Sequence, residues 1–411
     1  MKKKSLCSAT LFMIVQDIWR NIISLMPLRD SAHSACLSSI FLSSWRCYPK
    51  LTFTEEALGL KQKECQKSDM AMEFTSRVDR ILKNHFGIGV KAFKLVVPGF
   101  CNANTDHLNS WLQDAIAPGV EEVTLSQHSN YSEEYNFPCS LLYNGCGNSI
   151  QCFHLMNCAI RPTVGFDCLR SLRELDLHEV RITGDELGCL ISNSFALEEL
   201  KLASCNELIC LKIPFWLERL KYLNVVWCKN LQVLECTAPN LSTFDLLGDP
   251  VQMSKSSQVK NLSVGFLHKP NTVSYAITKL PSIVPHLETL TISSMDERIN
   301  APIAVDKFFQ LKCLNIFLFI DHHRFPTAYD YLSLVSFMDA SPLLETFILS
   351  INQMSVMKHD SVSWDASLMR QIPERKHDRL KKVHINGFFY AKSMVELTCH
   401  NMSYSGECNI T

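Results

Sequence analysis

The chain of 411 residues has no run of about 18 apolar residues, so the sequence offers no transmembrane helix. Glycine and proline are sparse, at 14 and 16, which excludes collagen-like and low-complexity chains. Neither sign of charge dominates: 40 Lys+Arg against 41 Asp+Glu give −1. A large basic field for nucleic acid or an anionic membrane is therefore missing. Catalytic signatures are missing as well. There is no Gly-x-Ser-x-Gly, no phosphate-binding glycine-rich loop and no His-Glu-x-x-His. An enzymatic activity and a cofactor are not expected. What is present is apolar substance: 47 % of the residues are hydrophobic, enough for a large core.

The 18 cysteines are unevenly spaced in a long chain and contain no Cys-x2-Cys pair, which reads as buried thiols in an intracellular protein. Cys139, Cys146, Cys152 and Cys158 cluster in sequence, but without the paired spacing of a zinc module no metal site is expected there. Lys2-Lys3-Lys4 before the apolar stretch from Leu6 to Val15 imitates a secretory leader. The stretch is short, interrupted by Ser5, Cys7, Ser8 and Thr10, and has no clean cleavage site, so secretion is not expected. The expected location is cytoplasmic or nuclear. Several sequons, Asn130 and Asn261 among them, matter only in a secreted chain.

Residues 15–51 carry three short helical patterns. Asp17 is a candidate cap, and Ile18, Ile22, Leu25 and Met26 then recur on one face. Pro27 ends that helix. Leu28-Arg29-Asp30 forms the turn, with Asp30 a candidate cap for a second helix whose small face is Ala32, Ala35, Cys36 and Ser39. Ile40, Phe41, Leu42 and Trp45 form a third cluster, closed by Pro49. So short a unit buries little by itself and is expected to pack on a partner or on the rest of the chain.

Residues 55–73 are polar and read as a solvated connector. Phe74, Val78, Ile81 and Leu82 then mark a helix ending near His85. Beyond it one pattern recurs: apolar, two others, apolar, one other, apolar. It begins at Val90/Phe93/Leu95, passes through Leu172/Leu175/Leu177 and Leu220/Leu223/Val225, and ends at Leu380/Val383/Ile385. Twelve occurrences follow one another at a mean spacing of about 26 residues, inside the leucine-rich-repeat range. The alternation describes strands with one buried face. Stacked in parallel they form a continuous apolar ladder, and each buried leucine contributes on the order of 1.5–3 kcal/mol. Leu208/Leu211/Ile213 and Leu231/Leu234 repeat the pattern between the main strands, so some crossings are expected to be extended. Cys158, Cys205 and Cys228 each lie three residues after the last apolar position of their repeat, where leucine-rich repeats place an inward Asn or Cys.

Asp17 to Asp30, continued by Phe41-Leu42-Ser43-Ser44-Trp45-Arg46-Cys47, resembles the F-box of plant F-box/leucine-rich-repeat proteins of the FBD type. The Pro27-to-Asp30 turn and Trp45-Arg46 match. Val15-Gln16 stands where Leu-Pro is usual, and Ser38-Ser39 lacks the usual basic residue. Ala238-Pro239-Asn240-Leu241 with Phe244 and Gly248 is similar to a repeat core of that family. Arg77-Val78-Asp79, Gly87-Ile88-Gly89-Val90 and Lys392-Ser393-Met394-Val395-Glu396-Leu397 are similar to its junctions. The resemblance implies docking of the F-box on the Skp adaptor of a cullin-RING ubiquitin ligase of the SCF type, through Ile18, Ile22, Leu25, Pro27, Leu28, Phe41 and Trp45. It implies a solenoid that holds a target protein.

The expected fold is thus α/β: an irregular, curved leucine-rich-repeat solenoid with a parallel β ladder, preceded by a small three-helix F-box. The expected organisation is a tail at 1–14, an F-box-like domain at 15–51, a linker and helix at 52–89, the solenoid at 90–400 and a tail at 401–411. Between ladder positions, side chains must face the concave side. From that face Asp176, His178, Lys201, Tyr222, Asn224, Val226, Asp245 and Leu247 are the candidate target contacts, with Phe317 and Ile348 farther on. The polar run Asp321-His322-His323-Arg324 and the basic run Arg375-Lys376-His377, Arg379, Lys381, Lys382 read as solvated loops. No nucleic acid and no membrane is expected as a partner. Two readings stand: a target recruiter for the ligase, and a non-ligase leucine-rich-repeat interaction scaffold whose F-box binds no adaptor. A pull-down with the Skp adaptor separates them.

Overall fold

The computed structural model describes residues 17–60, 67–85, 89–101, 103–128, 135–143, 145–266, 269–295, 297–320, 329–353, 370, 377–388, 391–402 and 407–411. The chain forms two compact units, Met1–Lys201 and Leu202–Thr411. Among the described residues no helix is long and apolar enough to cross a membrane.

The first unit opens with helices at 17–24, Leu28–Ala35 and Ser39–Trp45. Pro27 caps the second helix with an extended backbone, so the helix begins at Leu28 and Asp30 falls inside its first turn. None of the expected Leu28-Arg29-Asp30 turn is a turn: all three residues are helical and the break lies at 25–27, because Pro27 already sets the backbone that enters a helix. Ser38 caps the third helix, its hydroxyl accepting from the Phe41 N–H at 3.2 Å. The small core contains Ile23, Leu28, Trp45 and Tyr48. The Tyr48 hydroxyl donates to the Met26 carbonyl at 2.6 Å, tying the chain after the third helix to the end of the first.

The ladder begins directly afterwards. Lys50–Phe53 pairs in parallel with Ala92–Val96, followed by Glu122–Ser126, Cys152–Met156 and Glu174–His178. Two buried rows cross these five strands: Leu51, Phe93, Val123, Phe153, Leu175, and Phe53, Leu95, Leu125, Leu155, Leu177. Lys67–Asn84 is a helix that starts inside the stretch expected to be connector, with Ser68 and Asp69 in its first turn. It buries Met70, Phe74, Val78 and Leu82. Asp79 accepts from the Trp111 Nε1–H at 2.6 Å, fixing this helix to the helix Thr105–Ala115. Thr183 and Glu186 form a reciprocal capping box on the helix Gly184–Ile191.

In the second unit the parallel order is Tyr222–Val226, Thr243–Gly248, Asn261–Phe266, Thr289–Ser294, Cys313–Ile320, Thr346–Gln353, Lys382–Asn386 and Glu407–Ile410. Its rows are Leu223, Phe244, Leu262, Leu290, Leu314, Phe347, Val383 and Val225, Leu246, Val264, Ile292, Ile316, Leu349, Ile385, all buried. The strand Glu199–Ala203 has residues on both sides of the division between units. The return segments differ in kind. Cys210–Ile213 and Val233–Cys236 are extended and pair in parallel, as the secondary leucine pattern predicts, and Gln252–Met253 adds a third parallel strand beside Val233–Cys236. Thr272–Ile283 and Lys392–Met402 are helical. Strands at Lys50–Phe53 and Glu407–Ile410 lie outside the 90–400 span that the periodic pattern covers.

Several ladder strands are followed by a residue in the left-handed region: Asn157, Glu179, Ser204 and Trp227, with φ from 51° to 56°. The N–H of Asn157 donates to His178 O, that of Ser204 to Val226 O and that of Trp227 to Leu247 O. His178 and Val226 are the last residues of the following ladder strands, and Leu247 is the last but one of its own. Cys158, Cys205 and Cys228 follow these turns and are buried. The Cys228 thiol donates to the carbonyls of Leu202 and Val226 at 3.7 Å.

Candidate functional site

Among the described residues, the expected contact residues lie on the N-terminal helices and on the ladder face opposite the core in each unit.

On the helices, the residues expected to touch an adaptor divide into two groups. Ile18, Ile22 and Leu25 are 51, 43 and 87 % exposed, and their spacing puts them along one side of the first helix and its closing turn. Pro27 is exposed. Leu28 and Trp45 are only 6 and 8 % exposed and belong to the small core. Phe41 is half-buried, its ring edge-on to Trp19 with centroids 4.6 Å apart. A substitution at Leu28 or Trp45 would therefore damage the helical unit itself. Leu37, in the turn before Ser38, is a further exposed apolar residue of this unit. It was not among the residues singled out, because an isolated leucine in a turn has no periodic neighbours to mark it.

On the first unit's open face the side chains are half-buried and already paired. The Lys201 ammonium lies 2.6 Å from Glu174 Oε1 and 2.9 Å from Glu199 Oε2. Burial alone would lower its pKa, but its bonds to the two carboxylates outweigh that and hold it above the usual lysine value. His154 Nδ1 stands 3.6 Å from Asp176 Oδ2, and His178 Nε2 stands 3.7 Å from Glu179 Oε1. Cys152 faces Glu174 across the strand register. Burial and the charges of Glu174 and Glu122 push its thiol up. Lys201 and Asp176, candidate target contacts from the sequence, thus have local partners on this face.

On the second unit's open face the chemistry changes. The Tyr222 hydroxyl donates to Asp245 Oδ2 at 2.6 Å and accepts from Asn224 Nδ2 at 3.1 Å. Asn315 Nδ2 donates to Thr291 Oγ1 at 3.2 Å. Asn224, Asp245, Ser263, Thr291 and Asn315 make one polar row across five strands. Beside it runs the row Val226, Leu247, Gly265, Ser293, Phe317. A Cβ on Gly265 would lie 2.8 Å from Leu247 Cδ2, so this glycine leaves the space that the Leu247 side chain fills. Ile348 is half-buried on the strand beyond. Trp227, 47 % exposed in its left-handed turn, stands next to Val226. Sequence reasoning passed over it, although a tryptophan just after a ladder strand is itself a signal. Apolar anchors beside a row of hydroxyl and amide groups are the composition of a protein-binding surface.

Of the two polar loops, Asp321-His322-His323-Arg324 lies outside the described residues, as do Arg375 and Lys376. In the rest of the basic run, Lys381 pairs with Glu345 at 2.8 Å and His377 Nε2 lies 3.8 Å from Asp339 Oδ1.

A family model described as "At1g61320/AtMIF1, LRR domain" matches residues 81–407, more than three quarters of the chain. The chain belongs to this leucine-rich-repeat family. Among curated proteins, the F-box/FBD/LRR-repeat protein At1g13570 of Arabidopsis thaliana is 25 % identical over 194 residues. That match takes in 47 % of this chain and 44 % of the relative, so it spans less than half the relative's length. A solved internalin (inlF) of Listeria monocytogenes overlaps 81 % of this chain and 93 % of its own, with 11 % identity and a TM-score of 0.33. The family match begins at residue 81, so it leaves out the N-terminal helices of this leucine-rich-repeat protein.

Proposed function

We propose that this leucine-rich-repeat protein is the target-recognition subunit of an SCF-type cullin-RING ubiquitin ligase and carries out no catalysis of its own. In this reading the N-terminal helices dock on a Skp-family adaptor, and through it on a cullin, while the open ladder face holds a target protein. The observation that carries the reading is the row Ile18, Ile22 and Leu25, exposed along the first helix and its closing turn, while Ile23 is buried on the inner side. Apolar residues left outward on so small a unit favour a protein partner. The F-box resemblance of the same segment, and the name of the Arabidopsis relative, supply the class of partner.

The test is co-purification of the full chain with a Skp adaptor. Ile18→Asp with Leu25→Asp is expected to abolish it while leaving the far-ultraviolet circular dichroism and the unfolding midpoint unchanged, since both side chains are exposed. Equal co-purification of variant and parent overturns the adaptor reading. A parent that never co-purifies leaves the second reading, a repeat scaffold that captures its target without a ligase. The row from Val226 to Phe317 favours target capture under either reading.

A further inference from the structure

Cys152 and His154 are two residues apart on one strand, so both face the open side of the ladder. Glu174 is the register partner of Cys152, and Asp176 that of His154, on the next strand. The result is a thiol, an imidazole nitrogen and a carboxylate oxygen within 4.8 Å of one another, all three residues half-buried. We propose that Cys152, His154 and Glu174 form a binding site for a thiophilic divalent cation of the zinc class, in the first unit's exposed face.

The geometry is close to what such an ion requires. Bonds of about 2.0–2.3 Å in a tetrahedron put ligand atoms about 3.3–3.8 Å apart. The side chains therefore need to close by roughly 1 Å, within reach of small χ rotations, while the hydrogen-bonded strands stay fixed. Sulfur and nitrogen donors select zinc over magnesium and calcium, which take oxygen. The local field has the right sign. Glu122 and Glu174 are the register neighbours of Cys152 on either side, and Glu199 stands nearby. Asp176, 3.6 Å from the His154 ring, is the carboxylate neighbour that metal-bound histidines ordinarily have. Three protein ligands leave a fourth coordination position on the open side for water or for a partner's side chain.

Lys201 is the built-in competitor. Its ammonium holds Glu174 Oε1 and Glu199 Oε2, so the cation must share or displace it at Glu174. The site is then predicted to bind more tightly without this lysine, whereas a cation held by thiols elsewhere in the chain would not respond to its removal.

The experiment is titration of the reduced full-length chain with Co²⁺, reading the thiolate-to-cobalt absorption, with Zn²⁺ as competitor. One equivalent should bind with that absorption and be displaced by Zn²⁺. Cys152→Ser and His154→Ala should each lose it. Asp176→Ala should weaken binding about tenfold, and Lys201→Met should strengthen it. Undiminished absorption in Cys152→Ser would assign the cobalt to other thiols and overturn the proposal, as would a parent chain that shows none. A second measurement needs no variant. Zn²⁺ should shield Cys152 from maleimide, read by peptide mass spectrometry, and equal labelling with and without Zn²⁺ would overturn the site.

Discussion

Replacing Leu290 with alanine tests the ladder at a fully enclosed point. Leu290 is 0 % exposed and stands between Leu262 and Leu314 on the two flanking strands. The change removes three carbon groups, worth about 2.4 kcal/mol at about 0.8 kcal/mol each. Strands on both sides are fixed by hydrogen bonds, so the space collapses incompletely. About 50 Å³ left open adds about 1.2 kcal/mol at about 24 cal/mol per Å³. The expected loss is therefore about 3.6 kcal/mol, inside the range of about 2–5 for buried leucines. Thr291 is the control: it is the next residue, half-buried on the opposite face, and its hydroxyl accepts from Asn315 at 3.2 Å. Thr291→Ala should cost about 1 kcal/mol or less. Urea unfolding followed by circular dichroism, with a reductant to hold the thiols, reads both. The slope must be compared along with the midpoint, because stacked repeats unfold together only when their interfaces are strong. If Leu290→Ala lowers stability no more than Thr291→Ala, Leu290 does not face a packed core and the inward ladder is refuted.

Two further outcomes follow from local geometry. Gly387 has φ of 74°, and a Cβ added there would lie 2.0 Å from the Ile351 carbonyl oxygen. Gly387→Ala should therefore cost more than the roughly 1–2 kcal/mol of a left-handed alanine alone, and an unchanged urea midpoint would contradict the close approach. Acid should destabilise the fold through two histidines: burial lowers the pKa of His400, with His377 adding to the shift and Asp339 opposing it. Burial likewise lowers that of His85, opposed by its bond to the Tyr48 carbonyl. A histidine depressed in the folded state is protonated first in the unfolded chain, so its stabilisation is complete above about pH 6.5 and declines as pH falls through the folded value. His400→Gln should flatten part of that decline between pH 7 and pH 5 in urea midpoints, and an identical slope would remove His400 as a cause.

The repeats were legible in the sequence because their information is periodic. Leu175, Leu200 and Leu223 each occupy the same place in a recurring pattern, and twelve repetitions outweigh any single ambiguous residue. The end strands were not legible for the same reason. Lys50–Phe53 offers only Leu51 and Phe53, and Glu407–Ile410 offers Cys408 and Ile410, too few apolar positions to show a pattern without the neighbour that pairs with them. The helix Lys67–Asn84 was read from Phe74 onward because its first turn is polar and only Met70 marks the buried side. Which side chains face outward was readable from alternation, but not what they hold. The capture of Lys201 by Glu174 joins residues 27 positions apart, and the meeting of Cys152, His154 and Glu174 likewise depends on strand register, which spacing alone does not reveal. Leu28 and Trp45 show the converse limit: a motif marks residues as important without saying whether they pack inward or reach outward.

The left-handed turns after the ladder strands have a consequence for how stability is distributed along the chain. The amides of Asn157, Ser204 and Trp227 donate to the end of the following strand. A conformation unfavourable for a non-glycine residue is thus held in place by the repeat that comes after it. Coupling between neighbours accordingly has a direction. Opening one strand releases the turn before it, whereas the turn after it keeps its own acceptor. Hydrogen–deuterium exchange at these three amides would therefore report the opening of the next repeat rather than of their own, making each turn a local gauge of its successor in a chain of nearest-neighbour contacts.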